Sequence, residues 1–182
     1  MNDAKPKTLY EGRHLSMLNQ DGWEYASRST SRPAVGVVAF TGAGEIVLVE
    51  QHRPPVGQTV TELPAGLSGD IAGSEDEPLL EAAKRELFEE TGYVASSWSE
   101  LVSCFTSPGL TDESITIFFA QGLDKEGPGG GDQSEKITVH EIPFDEVLPW
   151  LRTRGATADL KLLAGLFAAS EHLRRKGMID EP

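Results

Sequence analysis

Three glutamates, Glu86, Glu89 and Glu90, crowd into the stretch Arg85-Glu86-Leu87-Phe88-Glu89-Glu90-Thr91-Gly92. Like charges three and four residues apart are neighbours on a helix and repel, so a solvated helix normally intersperses them with lysine. At about 100° per residue, Leu79, Leu80, Ala83 and Leu87 share one arc, and Glu86 and Glu90 project beside or within it. An inward carboxylate must be neutralised, hydrogen-bonded or bound to metal, because an unpaired buried charge costs more than a fold tolerates. Arg85 lies on another face, suited to Glu81 or Glu89 at four residues' spacing, and is not expected to serve Glu86 or Glu90. A hard divalent cation would serve both. The plainer alternative is a solvated acidic face with surface ion pairs through Lys84 and Arg85.

The helix that must carry these groups is expected from about Pro78 to Thr91. Ser74-x-x-Glu77 resembles a capping box, Pro78 suits the first turn and Gly92 suits the stop. Before it lies an irregular stretch, Pro64 to Glu77, preceded by a short strand ending at Leu63. Upstream, Leu15 to Gln20 and Trp23 to Ser27 flank Asp21-Gly22, a pair that favours a tight hairpin turn. A Ser/Thr/Arg-rich link leads to strands Ala34 to Phe40 and Glu45 to Gln51, separated by Thr41-Gly42-Ala43-Gly44. Downstream strands are expected at Glu100 to Phe105, Ser114 to Gln121 and Ile137 to Ile142, with a mobile glycine-rich loop, Gly127 to Gln133, before the last. Phe144 to Leu151 and Ala158 to Lys176 read as helices. Strands and helices mix without regular alternation, which predicts an α/β (α+β) fold, a mixed-sheet α/β/α sandwich. The chain divides into an N-terminal hairpin segment, residues 1–32, and a main domain, residues 33–182.

The 182 residues, 38% of them apolar, suit one core with a small N-terminal addition. A net charge of -13 argues against nucleic acid or an anionic membrane as partner, since both need clustered Lys and Arg. An anionic small molecule would need local arginines or a bridging cation. Cys104 is the single cysteine, so no intrachain disulfide and no Cys-rich metal site can form, and a reducing cytoplasm is expected. The N-terminus MNDAKPKTLY lacks an apolar signal core, and no run approaches the roughly 18 apolar residues of a membrane span. Neither Ser107 nor Cys104 has a triad pattern around it, and His140 reads as a strand side chain, so covalent nucleophilic catalysis is not expected.

Arg85-Glu86-Leu87-x-Glu89-Glu90-x-Gly92-Tyr93, with Glu77 seven intervening residues before Arg85, resembles the core of the Nudix hydrolase box, G-x5-E-x7-R-E-U-x-E-E-x-G-U. The opening glycine of that box falls on Ile71. If Gly66 is its counterpart, the loop before Glu77 carries five extra residues. Trp23 to Arg32, Glu50 to Gly57, Glu62 to Leu67 and Ser107 to Glu113 resemble the ADP-ribose and ADP-sugar pyrophosphatase branch.

The resemblance implies a Nudix-type sandwich and a homodimer in which the N-terminal strands embrace the partner. It implies Mg2+, or Mn2+, held by the Ala65 carbonyl, Glu86, Glu89 and Glu90, with Arg85 in the catalytic set. Arg28 and Arg53 would bond the diphosphate, although Arg53 could pair with Glu62 instead. Glu62 would contact ligand or arginine, Gly66 would let the backbone approach closely, and Leu67 would line the substrate site. Trp23 would stack on adenine or simply pack in the hairpin or dimer interface. Glu135, behind the glycine-rich loop, is the candidate general base with Glu89 as its alternative, or it is a solvated loop charge. The implied reaction is in-line attack of an activated water on the diphosphate of ADP-ribose, yielding AMP and ribose 5-phosphate. Cleavage of another nucleotide sugar such as GDP-mannose, and binding of ADP-ribose without cleavage, are the competing readings.

Overall fold

The computed structural model describes residues 5–28, 32–131 and 136–179. At the N-terminus β1 (Lys7–Glu11), β2 (Leu15–Gln20) and β3 (Trp23–Arg28) form an antiparallel three-stranded sheet. Asp21 and Gly22 turn the β2–β3 hairpin with φ of 53° and 87°, the conformation an Asp-Gly pair supplies. The expected hairpin is thus extended by β1, whose residues are all exposed and so show no buried alternation to read in advance.

The main domain follows as β4 (Ala34–Phe40), β5 (Glu45–Arg53), β6 (Gln58–Glu62), β7 (Ala65–Leu67), α1 (Leu79–Thr91), β8 (Tyr93–Phe105), β9 (Ser114–Lys125), β10 (Thr138–Pro143), α2 (Val147–Arg154), β11 (Thr157–Ala158) and α3 (Leu160–Arg175). Its strands form one mixed sheet in the order β11-β6-β5-β4-β9-β8, with β10 on β5 and β7 on β4. The β4–β9 and β11–β6 pairs are parallel and the others antiparallel. Three expectations are corrected: β8 begins at Tyr93, β7 forms inside the stretch expected to be irregular, and α2 starts at Val147 after a 3-10 turn at Phe144–Glu146.

Alternation along the central strands makes the sandwich. Val35, Val37 and Ala39 of β4 and Phe118 and Ala120 of β9 pack with Ala82, Ala83 and Leu87 of α1. Val38, Phe40, Ile115, Ile117 and Phe119 face the other way, onto Val147 and Leu151 of α2 and Leu162, Ala169 and Leu173 of α3. On that side α3 comes so close that a Cβ on Gly165 would lie 2.7 Å from Leu63 and 3.0 Å from Val38.

The feature that makes a site is a fork. The edge of β4 away from β9 is held by β5 at Ala39 and Phe40 but by β7 from Ala34 to Gly36. The matching edge of β5 passes from β4, at Ile46 and Val47, to β6, from Val49 to Arg53. β6 and β7 therefore diverge, and Pro64 between them accepts the Val37 N–H at 2.9 Å. The helix carrying the glutamates packs beside β7.

Candidate active site

Glu86 and Glu90 are buried, as their arc on α1 required, and both reach β7. Glu90 Oε2 accepts the Ala65 N–H at 3.0 Å. The Glu86 carboxylate lies where a Cβ on Gly66 would stand, with Oε1 and Oε2 2.0 and 2.5 Å from that point. Only glycine lets the strand and the carboxylate share this space. Burial pushes the Glu86 carboxyl up to about 7, outweighing its guanidinium neighbour.

That neighbour is Arg85, contrary to expectation. Its Nη1 donates to Glu86 at 2.8 Å and to Glu89 at 3.2 Å. Nε and Nη2 donate to Glu77 at 3.1 and 3.0 Å, and Nη2 also to Asp70 and the Leu67 carbonyl. These acceptors draw the guanidinium off the helix surface onto the preceding loop, where Glu86 also reaches. Glu81, the expected i−4 partner, pairs with Lys84. The expected capping box is also absent: Pro78 caps α1 without a side-chain hydrogen bond, and Glu77 instead accepts from Arg85 and from the Gly69 N–H at 2.9 Å. Arg85 holds Glu77 below the usual carboxylate range.

The fork opens into a cleft of about 520 Å³ whose walls include Arg28, Gln51, Arg53, Ala65, Gly66, Leu67, Glu86, Glu90, Phe105, Glu113 and Lys161. Arg53 forks onto Glu62 through Nε at 2.6 Å and Nη2 at 2.8 Å, so the pairing alternative is realised while the side chain still lines the cleft. Glu62, only 2% exposed, also accepts from Lys161, which bridges to Asp159 at the start of α3. Burial would raise the Glu62 carboxyl, but Arg53 and Lys161 together hold it below its ordinary value. Arg28 Nε donates to Glu113 at 2.7 Å. Sequence reasoning assigned no role to Glu113, Lys161 or Asp159. Glu113 closes the quoted Ser107 to Glu113 stretch, whereas Lys161 carries no local signal.

Other expected residues lie apart from these walls. Trp23 is 63% exposed on the N-terminal sheet, where its Nε1 donates to the Gly109 carbonyl at 3.3 Å. Glu89 is exposed beside Arg85. His140 lies on β10 against Trp150, with its ring centroid 5.0 Å away, and is not part of the cleft. Glu135 falls outside the described residues. Of the glycine-rich segment expected to be mobile, residues 127–131 are hydrogen-bonded to the end of α1, and residues 132 and 133 fall outside the described residues. The Gly130 N–H donates to the Glu90 carbonyl at 2.7 Å, the Gly131 N–H to the Glu89 carbonyl at 3.0 Å, and the Gly127 N–H to the Gly92 carbonyl at 3.0 Å. These bonds satisfy carbonyls that a helix end leaves unpaired.

Two buried carboxylates on one wall of the cleft offer oxygen ligands, the chemistry of a hard divalent cation. Burial of Glu86 to the point of a raised pKa fits the same conclusion, because a cation there would restore its charged form. Among the described residues, however, no group of three or more His, Cys, Asp or Glu side chains stands ready to enclose a metal, since Glu89 is turned to Arg85.

The family model for the NUDIX domain matches residues 30–166. The chain belongs to the Nudix family. This Nudix chain is 35% identical over 158 residues to the methanol dehydrogenase activator of Bacillus methanolicus, covering 82% of each. It is 38% identical over 136 residues to the ADP-ribose pyrophosphatase of Mycobacterium tuberculosis, covering 74% of this chain and 63% of that one. The crystal structure of an ADP compounds hydrolase shares its fold, with a TM-score of 0.73 over 96% of this chain and 95% of that one at 22% identity. Nudix hydrolases generally work with a divalent metal ion.

Proposed function

We propose that this Nudix chain hydrolyses the diphosphate linkage of ADP-ribose, and by extension other ADP-sugars, to AMP and a sugar phosphate. The observation that carries the reading is the meeting, in one cleft, of buried Glu86 and Glu90 with two arginines, Arg28 and Arg53. The likeness to an ADP-ribose pyrophosphatase supports the choice of substrate.

Glu86 and Glu90, with the Ala65 carbonyl and Glu89 when it turns from Arg85, would hold Mg2+ or Mn2+. When bound, such a cation neutralises the diphosphate and favours attack of water on phosphorus. Arg85 fixes Glu86 and Glu77 and so aligns the helix with its loop. Arg53 uses two of its five N–H donors on Glu62, which leaves the rest of the fork for phosphate oxygens. Arg28, steadied by Glu113, stands in the same cleft. Glu135 takes the proton from the attacking water, and Glu89 is the alternative base.

A homodimer is part of the reading. Tyr10, Leu15 and Met17 are 68%, 50% and 43% exposed on the N-terminal sheet, and a small sheet with a bare apolar face is poorly stable alone. Light scattering should return twice the chain mass, and Met17→Glu should halve it. A cytoplasmic location fits the single cysteine.

The function is tested by resolving the products from ADP-ribose, ADP-glucose and GDP-mannose in parallel. AMP and ribose 5-phosphate should form fastest from ADP-ribose. Preferential cleavage of GDP-mannose would replace the substrate, and binding of ADP-ribose without products would replace the activity.

A further inference from the structure

Arg53, Asp159 and Lys161 stand together in the wall of the cleft, and Glu62, 2% exposed, lies behind them. They form one chain of contacts. Asp159 caps α3: one carboxylate oxygen accepts the Leu162 N–H at 2.9 Å and the other accepts from Lys161. Lys161 also donates to Glu62 Oε2, the oxygen that accepts Arg53 Nη2 at 2.8 Å. Arg53 Nε closes the fork on Glu62 Oε1 at 2.6 Å. The start of α3 is itself fixed to β6, since Thr157 and Ala158 of β11 pair with Val60 and Thr61, and the Asp159 N–H donates to the Thr61 carbonyl at 3.4 Å. The Glu62 hydrogen bond raises the Arg53 pKa against the effect of burial, and the charge of Asp159 adds to it.

We propose that Lys161 is a positioning residue for diphosphate binding: anchored by Asp159 at the start of α3, it fixes the Glu62 carboxylate and, through the two-bond fork, the plane of the Arg53 guanidinium. The Arg53 side chain is 41% exposed and sits on a long stem at the end of β5, and its hydrogen bonds go to Glu62. A bidentate pair holds guanidinium and carboxylate in one plane, so the orientation of Glu62 sets where the remaining donors of Arg53 point. A carboxylate held by one flexible cation can turn with it. A second cation on Oε2, coming from a different element, removes that freedom. Lys161 also shares the Glu62 charge, which leaves more of the Arg53 charge for an incoming anion. Two of the three Lys161 N–H donors are committed to carboxylates, so its action on the ligand passes through Glu62 and Arg53.

The inference rests on the diphosphate reading of the cleft, and its test combines binding with turnover. Calorimetric titration with ADP in the presence of Mg2+ should show Lys161→Met weakening the wild-type affinity about tenfold, while Mn2+ affinity stays within twofold. Arg53→Met combined with Lys161→Met should bind ADP within twofold of Arg53→Met alone, because Lys161 acts through that arginine. Lys161→Arg, which keeps the charge and can bond both carboxylates, should stay within threefold of the wild type. Asp159→Asn keeps an acceptor for the Leu162 N–H but loosens Lys161; it should weaken ADP at least threefold, and it guards against misfolding of Lys161→Met. With ADP-ribose, Lys161→Met should raise KM about tenfold and leave kcat within threefold, the pattern of a lost ground-state contact. Additive losses in the Arg53 and Lys161 pair, an equal loss of Mn2+ affinity, no rescue by Lys161→Arg, unchanged ADP affinity in Lys161→Met or Asp159→Asn, or no wild-type affinity for ADP would each overturn the role. The expected ADP pattern in a protein that cleaves no ADP-ribose would keep Lys161 in its role and remove the proposed function. Cleavage of ADP-ribose with KM unmoved in Lys161→Met would do the reverse.

Discussion

The Glu86 carboxylate occupies the space that a side chain on Gly66 would need, with its Cδ 2.1 Å from the point where a Cβ would stand. Gly66→Ala must therefore displace a buried carboxylate from the strand it rests on. Divalent affinity should fall by roughly 10- to 100-fold, the usual scale for disturbing the support of a metal ligand. Titration with Mn2+ measures it, and unchanged affinity would show that Glu86 is not held for metal.

The raised pKa of Glu86 predicts a pH effect on stability without metal. A carboxyl that moves from 4.5 to about 7 on folding disfavours its charged form. The sign follows from linkage: the fold loses stability as pH rises from about 4.5 through about 7, by roughly 3 kcal/mol at about 1.4 kcal/mol per unit. Glu86→Gln removes the penalty. Melts in chelator should show the variant gaining on the wild type between pH 5 and 8, and a difference independent of pH would refute the assignment.

Glu62 predicts the opposite slope. Its folded pKa is lowered, so its contribution is present above the ordinary value of 4.5 and is lost as pH falls through the lower folded value. Glu62→Gln should flatten the acid limb of the stability profile. At neutral pH it should cost about 3 kcal/mol, because Arg53 and Lys161 lose the carboxylate they share. Parallel acid limbs for variant and wild type would contradict this.

The latch of residues 127–131 on α1 gives a further expectation. Gly129 has φ of 67°, and a Cβ there would lie 2.4 Å from the Thr91 carbonyl carbon. Gly129→Ala should release the segment, and amide exchange at Gly130 and Gly131 should quicken by at least tenfold. Retained protection would mean that those two hydrogen bonds do not hold it.

The sequence made the helix and its inward carboxylates legible because both follow from 3.6-residue periodicity. The Asp21-Gly22 turn was legible because its backbone requirement is local. What escaped reading depends on distance. Arg28 and Glu113 meet across 85 positions, and Glu62 and Lys161 across 99, through sheet order that no local pattern encodes. β7 is three residues long in a glycine-bearing stretch, and its strand character comes from β4 beside it. Arg85 was misjudged because helical spacing predicts where a side chain starts and not where a long one ends. Its acceptors beyond the helix are Leu67 at the end of β7 and Asp70 and Glu77 of the loop.

The most direct test compares ADP-ribose hydrolysis by the wild type and by Glu90→Gln, each with Mg2+ and with excess chelator. Gln can still accept the Ala65 N–H, so the fold should be kept while the charge that would hold the cation is removed. The expected result is chelator-sensitive release of AMP and ribose 5-phosphate by the wild type and a kcat/KM lower by roughly a thousandfold in the variant, consistent with several kcal/mol of lost charge stabilisation. A folded Glu90→Gln protein with undiminished Mg2+-dependent turnover would contradict the assignment of the carboxylate pair as the metal site.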